Sequence, residues 1–154
     1  MHSALRLAAE RAAIYLDGIQ ERRVSPSAEA VAGLAKLGGP LPEEPWAAED
    51  VVRLLDEAGS PATMGIAGPR FFGFVIGGAL PAALGANWLA SAWDQNAGLF
   101  AATPVAAVLE EVALAWLLEV LALPAGCGGA FVTGATVANF TALAAARHAL
   151  LARA

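Results

Sequence analysis

The chain has one cysteine, one lysine and two histidines, and each shortage excludes a class of chemistry. A lone Cys127 forms no internal disulfide framework and no thiolate-rich metal site. His2, His148 and Cys127 assemble no Ser–His–Asp, Cys–His or two-histidine metal arrangement. No metal site and no catalytic residue is therefore assigned. The single lysine, Lys36, lies far from any glycine-rich turn, so a P-loop, which needs a lysine after its glycines, is absent. Gly126, Gly128 and Gly129 precede an apolar run instead of linking a strand to a helix, which removes the dinucleotide fingerprint as well.

Charge is scarce too. Only 15% of residues are charged, where an ordinary soluble domain has about 25%. The net charge is −5 and the basic residues are scattered, so nucleic acid is not an expected partner. Two stretches, Phe71 to Trp93 and Val120 to Ala146, carry no charge at all. Their length would admit membrane spans, but both contain proline and several glycines and neither has a clear basic flank. They are read as buried segments, with no membrane partner. The amphipathic start, with Glu10 and Asp17, shows no secretory signal, and a cytoplasmic protein is the default expectation.

What is abundant is apolar surface: 58% of 154 residues are hydrophobic. A chain this apolar needs more partner surface than its own length supplies, which implies part of a larger protein, an obligate oligomer or a membrane protein.

The most informative stretch runs from Gly128 to Arg147, GGAFVTGATVANFTALAAAR. A short apolar run, Ala130 to Val132, suits a buried strand. The small turn Thr133-Gly134-Ala135-Thr136 follows, and then an alanine-rich segment that suits a helix. A strand entering a helix through such a turn leaves several N–H groups unpaired at the positive end of the helix dipole, which favours a phosphate. Thr136 would cap the helix or give its hydroxyl to the same anion. Strand–turn–helix units that bind nothing are also common in α/β proteins, and both alternatives stand at this point.

The remaining elements read in order. Residues 3–22 form an amphipathic helix with Leu5, Ala8, Ala12, Tyr15, Leu16 and Ile19 on one face. Ser25-Pro26-Ser27 starts a shorter helix, Ala28 to Leu37, stopped by Gly38-Gly39-Pro40. A third helix, Ala47 to Ala58, buries Val51, Val52, Leu54 and Leu55. The run GPRFFGFVIGGA from Gly68 suits a short strand or a closely approached backbone. A helix from Pro81 to Gln95 follows, in which Asn87, Trp88 and Trp93 line a pocket or, for the tryptophans, pack a core or interface. Thr103 as N-cap and Pro104 as first residue open a helix whose stripe is Leu109, Val112, Ala113, Trp116, Leu117 and Val120. His148 sits at a helix C-terminus, where the dipole favours a cation.

In this order, GPRFFGF, PAALGANWLASAW, LFAATPVAAVLEEVALAWLLEVLALP and FVTGATVANFTALAAARH resemble the N-terminal third of the pyridoxal-phosphate-dependent group II decarboxylases, the family of aromatic amino acid and glutamate decarboxylases. The resemblance is weak before Gly68 and good after it. It implies an α/β protein, the start of a type I pyridoxal-phosphate-dependent transferase fold, mostly helical here with few short strands. Residues 1–67 would be a helical dimerisation arm and residues 68–154 the start of the cofactor-binding domain. By the same resemblance Gly134, Ala135 and Thr136 match the loop that holds the 5′-phosphate of pyridoxal 5′-phosphate. Phe100, Thr103 and Pro104 match a segment of the substrate pocket, commonly shared across a homodimer interface. Val137 departs from the acidic residue found there in many members. The family's ring-stacking histidine, pyridine-nitrogen aspartate and Schiff-base lysine have no counterpart among these residues, so the 154 residues by themselves are expected to be inactive. The resemblance implies an amino acid substrate and a carboxy-lyase; an aminotransferase or another lyase of the same cofactor class, or a non-catalytic dimerising module, are the alternatives.

Overall fold

The computed structural model describes residues 2–153, and every described element is helical. They divide into two compact units, residues 1–86 and 87–154.

The first unit is built on helix α1, His2–Asp17, and helix α3, Ala48–Gly59, with the short α2, Ala28–Gly33, between them in sequence. Ser27 caps α2 by accepting the Ala30 N–H at 3.2 Å, and a 3-10 turn, Leu34–Leu37, completes the expected segment. Helix α1 is shorter than the predicted 3–22. It ends at Asp17 because Gly18 follows, and the chain then tightens into turns in which Ile19 N–H reaches the Leu16 carbonyl and Glu21 N–H the Gly18 carbonyl.

Ala8, Ala12 and Tyr15 face inward from α1 as predicted, while Leu5 and Leu16 are exposed. On α3, Val52, Leu54 and Ala58 turn inward, whereas Val51 and Leu55 remain exposed. The two helices are joined by polar contacts at three levels. Ser3 donates to the Glu49 carboxylate, Arg11 pairs with Asp56 at 3.4 Å, and the Tyr15 hydroxyl meets Thr63 Oγ1 at 2.9 Å beyond the end of α3.

The segment after α1 is locked against residues 60–70. Arg22 reaches the Ser60 carbonyl, and Arg70 Nη2 donates to the carbonyls of Gln20 (3.1 Å) and Arg22 (2.7 Å). Gly65 N–H donates to the Val24 carbonyl at 2.9 Å, and a side chain on Gly65 would meet the Arg23 carbonyl oxygen at 3.0 Å. A side chain here would have to push the two backbones apart by a few tenths of an ångström. Ile19 is buried by this crossing.

The aromatic run after Gly68 is a turn and not the strand predicted as one of two alternatives. Phe74 and Val75 both adopt left-handed backbone, φ 58° and 54°, a conformation that breaks the period of an extended strand and is rare for a β-branched residue. The Phe71 and Phe74 rings lie 6.5 Å apart, and the Phe74 and Val75 side chains point to solvent.

Helix α4, Pro81–Trp93, stops two residues before the predicted Gln95, where Asp94 turns left-handed at φ 49°. In the second unit, helix α5 is Pro104–Val120 and helix α6 is Ala135–Leu151. Helix α5 ends in a Schellman closure: Leu123 N–H donates to the Leu118 carbonyl at 2.9 Å and Ala122 N–H to the Glu119 carbonyl at 3.0 Å. Ala122 occupies the left-handed position at φ 52° that glycine normally fills.

Ala130 to Val132 do not form the predicted strand, and no described residue is in a strand. A strand is stabilised only by a neighbour that takes up its N–H and carbonyl groups, and no described segment offers one.

Apolar side chains are exposed throughout α4, α5 and α6. Trp116 is 67% exposed, and Trp88 and Trp93 are each nearly half exposed, so neither tryptophan of α4 packs a core within this chain. On α5 the half-buried positions are Ala106, Ala107, Ala113, Leu114 and Leu118, and the predicted stripe residues Leu109, Trp116 and Val120 face outward. The chain exposes 12337 Å², whereas a self-contained globular chain of this size exposes about 7,300 Å². Helices that are apolar on nearly every side are built to be covered.

Candidate functional site

The turn at residues 133–136 ends on the N-terminus of α6. Gly134 is the N-cap, in extended conformation, and the first intrahelical bond runs from Ala138 N–H to the Gly134 carbonyl at 3.0 Å. The N–H groups of Ala135, Thr136 and Val137 precede that bond and have no carbonyl within the helix to receive them. No side chain caps α6. Thr136 is the second helical residue instead of the cap, because the helix starts one residue earlier than Thr136. It stands in the first turn, among the residues whose N–H groups are open. Thr141, one turn further on, spends its own hydroxyl on the Val137 carbonyl at 2.8 Å.

This donor set suits a phosphate. It offers main-chain N–H groups and the Thr136 hydroxyl, and the first turn of α6 contains no acidic side chain to repel a dianion. Nothing lies within 4 Å of where a side chain on Gly134 would begin, so an anion can approach the backbone from that side. Val137 adds no charge to this turn.

Phe100, Thr103 and Pro104 lie together just before and at the start of α5. Phe100 is 64% exposed, Pro104 is the first residue of α5, and Thr103 is buried at 1% exposure. Thr103 occupies the predicted N-cap position but does not cap. Its Oγ1 donates backward to the Asn96 carbonyl at 2.5 Å. Among the described residues no hydrogen bond joins the Phe100–Pro104 group to the Gly134–Thr136 group.

Sequence reasoning missed the arginines. Arg22 lies with its guanidinium carbon 4.4 Å from the Tyr15 ring centroid, and Arg70 binds two carbonyls of the segment after α1. The Arg70 bonds join residues 50 and 48 positions apart, for which single-sequence periodicity carries no signal, whereas Arg22 and Tyr15 lie on neighbouring turns of the chain. Arg11, Tyr15, Arg22, Asp56, Glu57 and Ser60 also line an open cavity of about 300 Å³, in which Arg11 pairs with Asp56 and the Tyr15 hydroxyl meets Thr63. No described group of three or more His, Cys, Asp or Glu residues is placed to hold a metal ion. Among the described residues no helix is long and apolar enough to cross a membrane.

The uncapped N-terminus of α6, with no acidic side chain in its first turn, is the candidate anion site of these residues. Comparison with known proteins makes this specific. Residues 42–154 match the pyridoxal-dependent decarboxylase conserved domain. The aromatic-L-amino-acid decarboxylase of Rattus norvegicus is 34% identical over 146 residues, covering 89% of this chain and 30% of the relative. The same enzyme from Cavia porcellus is 33% identical over 148 residues, 90% of this chain and 31% of the relative. That from Mus musculus is 34% identical over 142 residues, 86% and 29%. The chain thus spans about 30% of the length of these curated relatives. It belongs to the group II pyridoxal-dependent decarboxylase family, whose cofactor is pyridoxal 5′-phosphate.

Proposed function

We propose that the full-length protein carrying these residues is a homodimeric pyridoxal-phosphate-dependent decarboxylase of amino acids, with aromatic L-amino acids as its substrate class. The observation that carries this reading is the coincidence of the family match over residues 42–154 with an uncapped, uncharged helix N-terminus at the phosphate-loop positions. The names of the relatives support the aromatic substrate class. The exposed apolar helices support a type I fold completed by the rest of the protein and a partner subunit. Residues 1–67 would then serve as the dimerisation arm and residues 68–154 as the start of the cofactor-binding domain.

In this reading the N–H groups of Ala135 and Thr136, with the Thr136 hydroxyl, hold the 5′-phosphate, and Gly134 leaves the approach open. The positive end of the α6 dipole adds about 0.3–1 kcal/mol toward a bound anion. Bound pyridoxal phosphate supplies the electron sink that accepts the pair left when carbon dioxide departs. The segment holding Phe100, Thr103 and Pro104 forms part of the substrate wall: Phe100 supplies apolar surface that excludes water from the carboxylate that is lost, while Thr103 is buried within the segment. None of these residues moves a proton. Their work is binding and orientation.

Hydrogen exchange on the full-length protein tests the cradle. Pyridoxal phosphate is expected to slow the amides of residues 135–137, and inorganic phosphate to do so more weakly. Unchanged exchange there at saturating cofactor would remove the assignment.

A further inference from the structure

The loop between α4 and α5 is closed on itself. Thr103 Oγ1 donates to the Asn96 carbonyl at 2.5 Å, and Asn96 Oδ1 accepts the Gly98 N–H at 3.2 Å. The Leu99 carbonyl accepts both the Ala102 N–H at 3.1 Å and the Thr103 N–H at 3.0 Å. These bonds fold residues 96–103 into a compact loop with Leu99 and Phe100 on the outside.

Thr103 is the only fully buried side chain among the described residues. A buried hydroxyl needs a partner. At an N-cap that partner is ordinarily an N–H of the following helix, yet here it is a carbonyl seven residues back. The hydroxyl proton is committed, and its oxygen is shut off from any ligand outside the loop.

We infer that Thr103 is a positioning residue: its buried hydroxyl, tied to the Asn96 carbonyl, holds the 96–103 loop and thereby fixes Phe100 as an apolar wall of the substrate pocket. This rests on the reading above that the 100–104 segment lines that pocket. Thr103 does not touch substrate. It sets where the aromatic ring stands, and a ring held in one place orders a substrate without losing its own freedom on binding.

The test uses the full-length protein with pyridoxal phosphate, in the wild type, Thr103→Val and Thr103→Ser. In the wild type the amides of Ala102 and Thr103 should be protected from hydrogen exchange. Thr103→Val removes the donor at nearly constant volume, and exchange at position 102 should rise about tenfold, the factor that losing one hydrogen bond gives. KM for an aromatic amino acid should rise by a similar factor while kcat changes less than about twofold. Thr103→Ser should restore both. Unprotected amides in the wild type, wild-type exchange in Thr103→Val, or failure of Ser to rescue overturns the inference. So does a rise in KM without faster exchange, since the hydroxyl would then act on substrate directly. If Thr103→Val does not fold, wild-type protection and the Ser variant decide. Protection that depends on Thr103 in a protein with no decarboxylase activity would sink the decarboxylase reading and the substrate-wall role with it, while leaving the loop clamp in place.

Discussion

The guanidinium carbon of Arg22 lies 4.4 Å from the centroid of the Tyr15 ring. The same side chain bonds the Ser60 carbonyl and approaches Thr63 Oγ1 at 3.4 Å. One arginine therefore ties the end of α1 to the turn after α3. An exposed cation–π contact contributes about 0.5–1 kcal/mol, and a hydrogen bond from a charged donor about 1.5–3 kcal/mol. Arg22→Lys keeps the charge and loses the planar fork. It should speed amide exchange across residues 60–65 severalfold. Unaltered exchange there would show that the contact holds nothing.

Ala122 is a second local test. It stands at φ 52° in the closure of α5, where an alanine costs roughly 1 kcal/mol relative to glycine. Ala122→Gly should raise the melting temperature of the full-length protein, and Ala122→Val should lower it. A lower melting temperature for the glycine variant would contradict the left-handed assignment.

The contact between Ser3 and Glu49 predicts a pH dependence. The Ser3 hydroxyl, and after it the backbone of Glu49 itself, hold the Glu49 carboxyl below its ordinary range. A carboxylate whose folded value is depressed contributes stability that is present above the unfolded value and is lost as pH falls through the folded one. Docking of α1 on α3 should therefore loosen only in acid. In an NMR titration, Glu49 should move back toward the ordinary carboxylate value in Ser3→Ala. An unchanged midpoint would rule out the hydroxyl as the cause.

Thr136→Val tests the phosphate loop directly. It keeps shape and removes one donor to a dianion, and a charge-assisted bond contributes enough that pyridoxal phosphate should dissociate at about ten- to a hundredfold higher concentration. Affinity equal to the wild type would place the phosphate elsewhere.

Helix positions were legible in the sequence because their signals are local. Ser27, Pro81, Pro104 and the turn before Ala135 each mark a start that the structure keeps within a residue or two. Ends were less legible. Asp94 and Ala122 terminate helices through left-handed backbone without being glycine, and composition gives no warning of that. The strand at Ala130 to Val132 had the right residues but no described partner, so its pattern reports an environment that these residues do not supply alone. The same holds for the tryptophans of α4 and the stripe of α5, whose burial these residues do not supply among themselves. The Gly134–Thr136 turn was legible as the start of α6 because a run of small residues before an alanine-rich segment marks a helix N-terminus locally. The Thr103–Asn96 clamp was not, since a threonine before a proline reads first as a cap.

The most direct measurement is product analysis on the full-length protein, supplied with pyridoxal phosphate and an aromatic L-amino acid. Carbon dioxide and the corresponding amine should appear in equal amounts, with turnover that depends on added cofactor. A keto acid accompanied by aminated cofactor would make the protein an aminotransferase. No turnover and no cofactor uptake would leave it a dimerising module, and either result would contradict the decarboxylase proposed here.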